Sequence, residues 1–341
     1  GALTVTDVAS GTNGNIVLST SSGDITGLAT VNAGSGNVTL NSAGAIVDDG
    51  SSGTVITGGV LTADAAGAIT IDSTVTSANI STSAAGAVDL DETDAITLTD
   101  VDTNDGSITV DAGGALTVTD VASGTNGNIV LSTSSGDITG LATVNAGSGN
   151  VTLNSAGAIV DDGSSGTVIT GGVLTADAAG AITIDSTVTS ANISTSAAGA
   201  VDLDETDAIT LTDVDTNDGS ITVDAGGLIT ATDVVASGVS GDSVTLSTTT
   251  GGAVATLVTG ADAVSITANA GDITIGSVTA TLGTLGVTAT AGSINDAADD
   301  NTADFTAGGL ISLTAQDEIG VLGSGSDLDL EFAAGSSVNV S

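Results

Sequence analysis

The stretch DLDETDAITLTDVDTNDG, residues 89–106, places seven carboxylates in eighteen residues. Its end, DVDTNDG, alternates acids with other residues ahead of a glycine. Oxygen ligands at alternate positions can converge on one cation, and a glycine lets the backbone curl around it. That spacing makes Asp100, Asp102, Asn104 and Asp105 candidate calcium ligands, with Asp213, Asp215, Asn217 and Asp218 as a second set. Gly106 falls one residue later than the EF-hand pattern requires, and no Glu follows at the twelfth position. The competing reading is a solvated acidic face that keeps the chain soluble.

Catalysis finds little support. Without His, Cys, Lys or Tyr, most nucleophile–base pairs and most transition-metal sites cannot be built. Adjacent carboxylates such as Asp48 and Asp49 could in principle perform glycoside chemistry. The pair is duplicated in the second repeat unit, however, and no aromatic platform exists to stack a sugar. The expectation is a protein that is not an enzyme and has no obligatory cofactor, with Ca²⁺ the one candidate ligand.

The elements that must carry these residues are set by an unusual composition. The 341 residues include 41 acids and no Lys, Arg or His. Nucleic acid and anionic membrane surfaces both need a basic face, so neither is an expected partner. Hydrophobic residues make up 40% and mean hydropathy is +0.44, which disordered acidic chains do not show. Yet the chain has two Phe, no other aromatic residue and no Met. A core of small and β-branched side chains must be thin. Forty-nine Gly and no Pro predict many tight turns. The absence of Cys leaves the redox compartment unread, and no apolar run reaches the roughly 20 residues of a membrane span. The opening GALTVTD recurs internally, so the chain reads as a piece of something longer.

Residues 1–113 recur without one change as 114–226, and 227–341 form a third, diverged unit. Inside each period a shorter motif repeats: alternating apolar residues, a Gly turn, then a second apolar run. Copies begin at Ile16, Val38, Leu61, Ile80, Ile108 and Ile129, then at Val244, Val264, Leu285, Ile311 and Leu328. Alternation over four to six positions predicts strands. Three short strands and three turns in about 22 residues describe one coil of a parallel β-solenoid. About fifteen coils are expected in one continuous solenoid, with Val38 over Ile16 and Leu61 over Val38. The 28 residues from Ile80 to Ile108 make the longest coil, whose acidic part is expected to bulge outward. Asn15, Asn37 and Asn79 each precede a first strand and could stack as an amide ladder or simply suit a turn.

Runs such as GNVTLNSAGAIVDDGSSG and AGAITIDSTVTSANISTSAAGAVDL resemble large bacterial exoproteins of the filamentous-haemagglutinin type. LGSGSDLDL near Asp327 resembles, as a single imperfect copy, the glycine-rich calcium repeats of RTX proteins. The first resemblance covers nearly the whole chain. It implies a right-handed parallel β-helix in a secreted or surface-displayed bacterial fibre or adhesin, and it carries over no functional residue. Partners implied are copies of itself or neighbouring repeats of a longer chain. The alternative is a calcium- or glycan-binding adhesive module meeting surface glycans; a carbohydrate-active β-helix enzyme is the remote one.

Overall fold

Alternating β-branched residues and glycine corners build a single kind of element. The computed structural model describes residues 1–51, 53–164, 166–238, 241–297, 303–320 and 337–341. Among them are thirty-five strands and no helix. The architecture is an all-β parallel solenoid of about 14 turns averaging about 21 residues, close to the expected fifteen coils of 22. The chain forms two compact units, residues 1–172 and 173–341, so the division falls inside the second sequence repeat.

In the first unit a representative turn runs through Ile108–Ala112, Leu116–Val118 and Asp120–Ala122. The next turn lies on it in register, with Ile129 over Ile108, Ile138 over Leu116 and Val144 over Val121. Each of the three strands is one face. The period of two sends alternate side chains inward, where they stack in columns. One column runs Ile25, Ile46, Ile69, Val88, Ile108, Ile129 and Val151, and none of the seven is more than 1% exposed. Burying each such side chain contributes about 1.5–3 kcal/mol. The second unit has its own column: Ile182, Val201, Ile221, Val244, Val264, Leu285 and Ile311.

One corner explains part of the glycine content. Gly86, Gly106, Gly127 and Gly149 lie over Gly67, Gly86, Gly106 and Gly127 respectively. A Cβ on any of the four would come within 2.0–2.4 Å of backbone atoms in the turn below. Only glycine lets these backbones approach so closely.

Val38 stacks on Ile16 and Leu61 on Val38, as the spacing predicts. The next step differs: Ala78 lies over Leu61, and Ile80 lies over Ala63. The 28-residue coil does not exist either. Val101 lies over Ile80, and Ile108 over Val88, so both intervals are ordinary turns. The expected outward loop shrinks to a β-bulge at the single extra residue Thr99, between Leu98 and Asp100. The physical reason is that the motif marks a face of the solenoid, and a turn has three. Val88–Glu92 is such a face, followed into its corner by Glu92-Thr93-Asp94 where the next turn carries Ala112-Gly113-Gly114.

A further consequence concerns the 113-residue period. Five turns carry the chain from Ile25 to Ile129, 104 residues on. The remaining nine, Ile16 to Ile25, are one more face. Ile129, the duplicate of Ile16, therefore stands on the column of Ile25.

Candidate functional site

The acids collect in three settings. The first is the candidate calcium stretch. Asp100 and Asp102 lie on the strand Ile96–Asp102, two residues apart and hence on one side of it. The bulge at Thr99 sets Asp100 opposite Asn79, whose Nδ2 donates to Asp100 Oδ2 at 3.3 Å. Asp120, one turn on, faces the same place. Partial desolvation between turns, then the charges of Asp100 and Asp120, push Asp102 up to about 6. Partial desolvation, then Asp100, also raises Asp120. The second copy behaves alike: partial desolvation, then Asp213 and Asp233, push Asp215 up to about 6.

The other four predicted ligands are held elsewhere. Asn104 donates from Nδ2 to the Ser83 carbonyl at 3.4 Å, and Asn217 to the Ser196 carbonyl at 3.2 Å. Asp105 takes a left-handed backbone conformation, φ 69°, and its Oδ1 accepts the Thr125 amide at 2.6 Å. The Thr125 hydroxyl and amide hold the Asp105 carboxyl below its ordinary value. Asp218 ends the strand Ile209–Asp218 and lies over Ala198. The structure thus brings together Asp100, Asp102 and, from the next turn, Asp120. It does not bring Asn104 or Asp105 to them. Among the described residues no group of three or more acids is arranged as ligands of one metal ion.

The second setting is a ladder. Asp72, Asp91 and Asp111 are stacked in register on three successive turns, facing out. Asp89 and Asp48 are close enough to add their charges. Partial desolvation comes first, and these neighbours second, in raising Asp72, Asp89 and Asp91. A shallow groove beside the ladder is lined by Asp91, Asp111, Ser132 and Ser134. The second unit repeats the stack as Asp185, Asp204 and Asp224.

The third setting is inside the sheet. Val88, Leu90 and Glu92 all point inward, and Glu92 is 3% exposed. Its Oε2 accepts the Ser73 hydroxyl at 2.6 Å and the Val75 amide at 3.0 Å, and Oε1 accepts the Asp94 amide at 3.1 Å. Glu205 makes the same bonds to Ser186, Val188 and Asp207, and burial raises it. Sequence reasoning passed over this glutamate, although the alternation in VDLDE already placed it inward. The ladder was missed as well, because it needs the 19- and 20-residue register that joins Asp72, Asp91 and Asp111.

Comparison with family models, curated proteins and solved structures returns no match. What stands is the fold, a β-helix repeat.

Asp48 and Asp49 do not form a facing pair. Asp48 is buried and caps the Gly50 amide at 2.9 Å, whereas the exposed Asp49 accepts the Ser51 amide at 3.0 Å. The asparagine ladder is partly altered too. Asn15 Oδ1 accepts the Asn37 amide at 2.9 Å, and Asn37 Oδ1 the Val60 amide at 3.2 Å. These are side chain-to-backbone bonds, and Asn79 belongs to a different column. Asp327 and its surroundings lie outside the described residues. Among those described, no helix is long and apolar enough to cross a membrane.

Proposed function

We propose that the chain is a structural scaffold, a stretch of fibre or adhesin stalk displayed outside a bacterial cell, built by stacking repeats and performing no catalysis. One observation supports it above the others: the unbroken apolar column from Ile25 to Val151, seven turns deep. Each turn buries its apolar row against its neighbours, so stability accumulates along the stack. Such a body suits spacing and display. The resemblance to filamentous-haemagglutinin-type exoproteins points the same way. An antibody raised against the chain tests it: labelling of intact source cells along surface filaments supports the proposal, and labelling only after permeabilisation defeats it.

The second reading is an adhesive module that uses a cation. The crowding of Asp100, Asp102 and Asp120 favours it, since like charges this close gain from a divalent counterion. Surface glycans are the further ligand this reading would carry. Saturable calcium uptake scaling with the number of 113-residue copies supports it; equal response to any salt removes it.

A further inference from the structure

The corner that follows Asp120–Ala122 carries a side-chain amide that the fold leaves reactive. Asn126-Gly127 and its duplicate Asn13-Gly14 are the two places where Asn precedes Gly, and every other Asn precedes a residue with a side chain. Stacking imposes the glycine at 127, since a Cβ there would lie 2.3 Å from the Gly106 carbonyl oxygen. The consequence is chemical. With no side chain to crowd it, a glycine nitrogen can reach the side-chain carbonyl carbon of the residue before it.

Three observations put that reaction within reach at Asn126. The residue is exposed and sits in a turn. Among the described residues nothing accepts from the Gly127 amide, so no hydrogen bond holds its nitrogen back. The Ser148 hydroxyl of the turn above donates to Asn126 Oδ1 at 2.6 Å. That bond draws electrons from Cγ and stands where it would stabilise the oxyanion formed on attack. The first copy has the same set: the Ser35 hydroxyl donates to Asn13 Oδ1, and among the described residues nothing accepts from the Gly14 amide. The Asp-Gly pairs at 49–50 and 162–163 differ. There the glycine amide is bound, donating to Asp48 at 2.9 Å and to Asp161 at 2.8 Å.

We infer that Asn126-Gly127 and Asn13-Gly14 are self-modifying sites, at which the folded chain deamidates with help from the Ser148 and Ser35 hydroxyls. Solvent base takes the glycine amide proton, and the nitrogen forms a bond to Asn Cγ. The Cγ–Nδ2 bond then breaks, and ammonia leaves with a proton from water. Water opens the resulting five-membered imide at either carbonyl, to aspartate or to isoaspartate. At Asn126 the product adds a carboxylate close to Asp105, which the Thr125 amide engages, in a chain with no Lys, Arg or His to neutralise it. The isoaspartyl form also lengthens the main chain by one carbon at the stacked glycine corner. The inference does not depend on the extracellular reading.

The test ages the full chain in mildly alkaline buffer and follows its intact mass and the ammonia released. A gain of two daltons and two ammonia per chain is expected, one for each site, at a rate that rises with pH. Labelling by an isoaspartyl methyltransferase should rise in parallel. Because the two copies are identical, single variants assign the sites. Asn13→Gln and Asn126→Gln should each halve the gain, and the two together should abolish it. In the Asn13→Gln background, Ser148→Ala should slow the remaining event at least threefold, and Ser148→Thr, which keeps the hydroxyl, should restore it, both with unchanged circular dichroism. Four outcomes overturn the inference: a chain that keeps its mass while the free peptide of residues 122–131 is fully converted, an equal gain in the double Gln variant, an unchanged rate for Ser148→Ala, or a Ser148→Thr variant as slow as Ser148→Ala.

Discussion

Glu92 accepts the hydroxyl proton of Ser73 inside the sheet, at 2.6 Å, one turn above it. The same carboxylate takes two backbone amides, so it closes the inner corner where an apolar side chain would leave three donors unpaired. Glu92→Ala should destabilise by about 1–3 kcal/mol, the cost of orphaned buried donors. Glu92→Gln, which keeps two acceptor lone pairs on one oxygen, should cost less. Urea denaturation of both variants measures the difference, and equal losses would remove the charge from the account.

The pH dependence should run against the usual acid denaturation. Asp102 and Asp215 sit at about 6 in the folded chain against an ordinary 3.8. The folded state therefore holds their protons more tightly, and their ionisation above pH 6 weakens it. That stability is fully present below about pH 4 and lost as pH rises through 6. Asp72, Asp89, Asp91 and Asp120 are raised in the same sense. Asp49, Asp105 and Asp162 are lowered by their hydrogen bonds and oppose the trend below about pH 4. Thermal melts should show Tm climbing from pH 7.5 to 5 and turning over below 4. A Tm that falls steadily from pH 7.5 to 5 would contradict the crowding.

Relieving the repulsion by mutation should act in the same direction. Asn in place of Asp100, Asp102, Asp213 and Asp215 together should raise Tm at pH 7.5 and flatten its slope between pH 5 and 7. If calcium acts there, millimolar Ca²⁺ should raise the wild-type Tm more than Na⁺ at matched ionic strength, and the fourfold variant should lose that difference. Equal effects of the two ions on wild type would leave these acids as a solvated face.

The columns predict where truncation hurts. Ile108→Ala removes a fully buried side chain with turns above and below, and should cost about 2–5 kcal/mol. Val17, 64% exposed, should accept Thr within about 0.5 kcal/mol. Chemical denaturation of the two single variants checks the contrast.

Digestion offers a test of the stack as a whole. With no Lys or Arg trypsin has no site, so a broad-specificity protease is the informative reagent. Parallel strands paired throughout a turn leave it little extended backbone to grip. Native chain should survive for hours under conditions that clear urea-unfolded chain in minutes, followed by gel electrophoresis.

Much of this was legible in the residues. Alternation and glycine spacing predict parallel turns, and the stacking of Ile16, Val38 and Leu61 follows from spacings near 22. The phase was lost at Ile80, because Ser77-Ala78-Asn79-Ile80 offers two inward positions and the larger one looks like the strand start. Beyond that point a motif that repeats on every face cannot say which face it is on. The same ambiguity hid the acid cluster. Asp100 and Asp120 are twenty residues apart, and only the register that puts Val121 over Val101 makes them neighbours. Asn104 and Asp105 looked like ligands because they are close in sequence, yet the corner after Asp102 turns them toward Ser83 and Thr125.

The nine residues by which the 113-residue period exceeds five turns act as an angular gear. Tandem identical copies are prone to loss and gain during replication. Excising residues 17–129 would join Ile16 to Val130 in an unchanged local sequence, and the stacking would continue without a seam. The turns that follow within residues 1–172, however, would start one face further round. Copy number in such a chain sets direction as well as length.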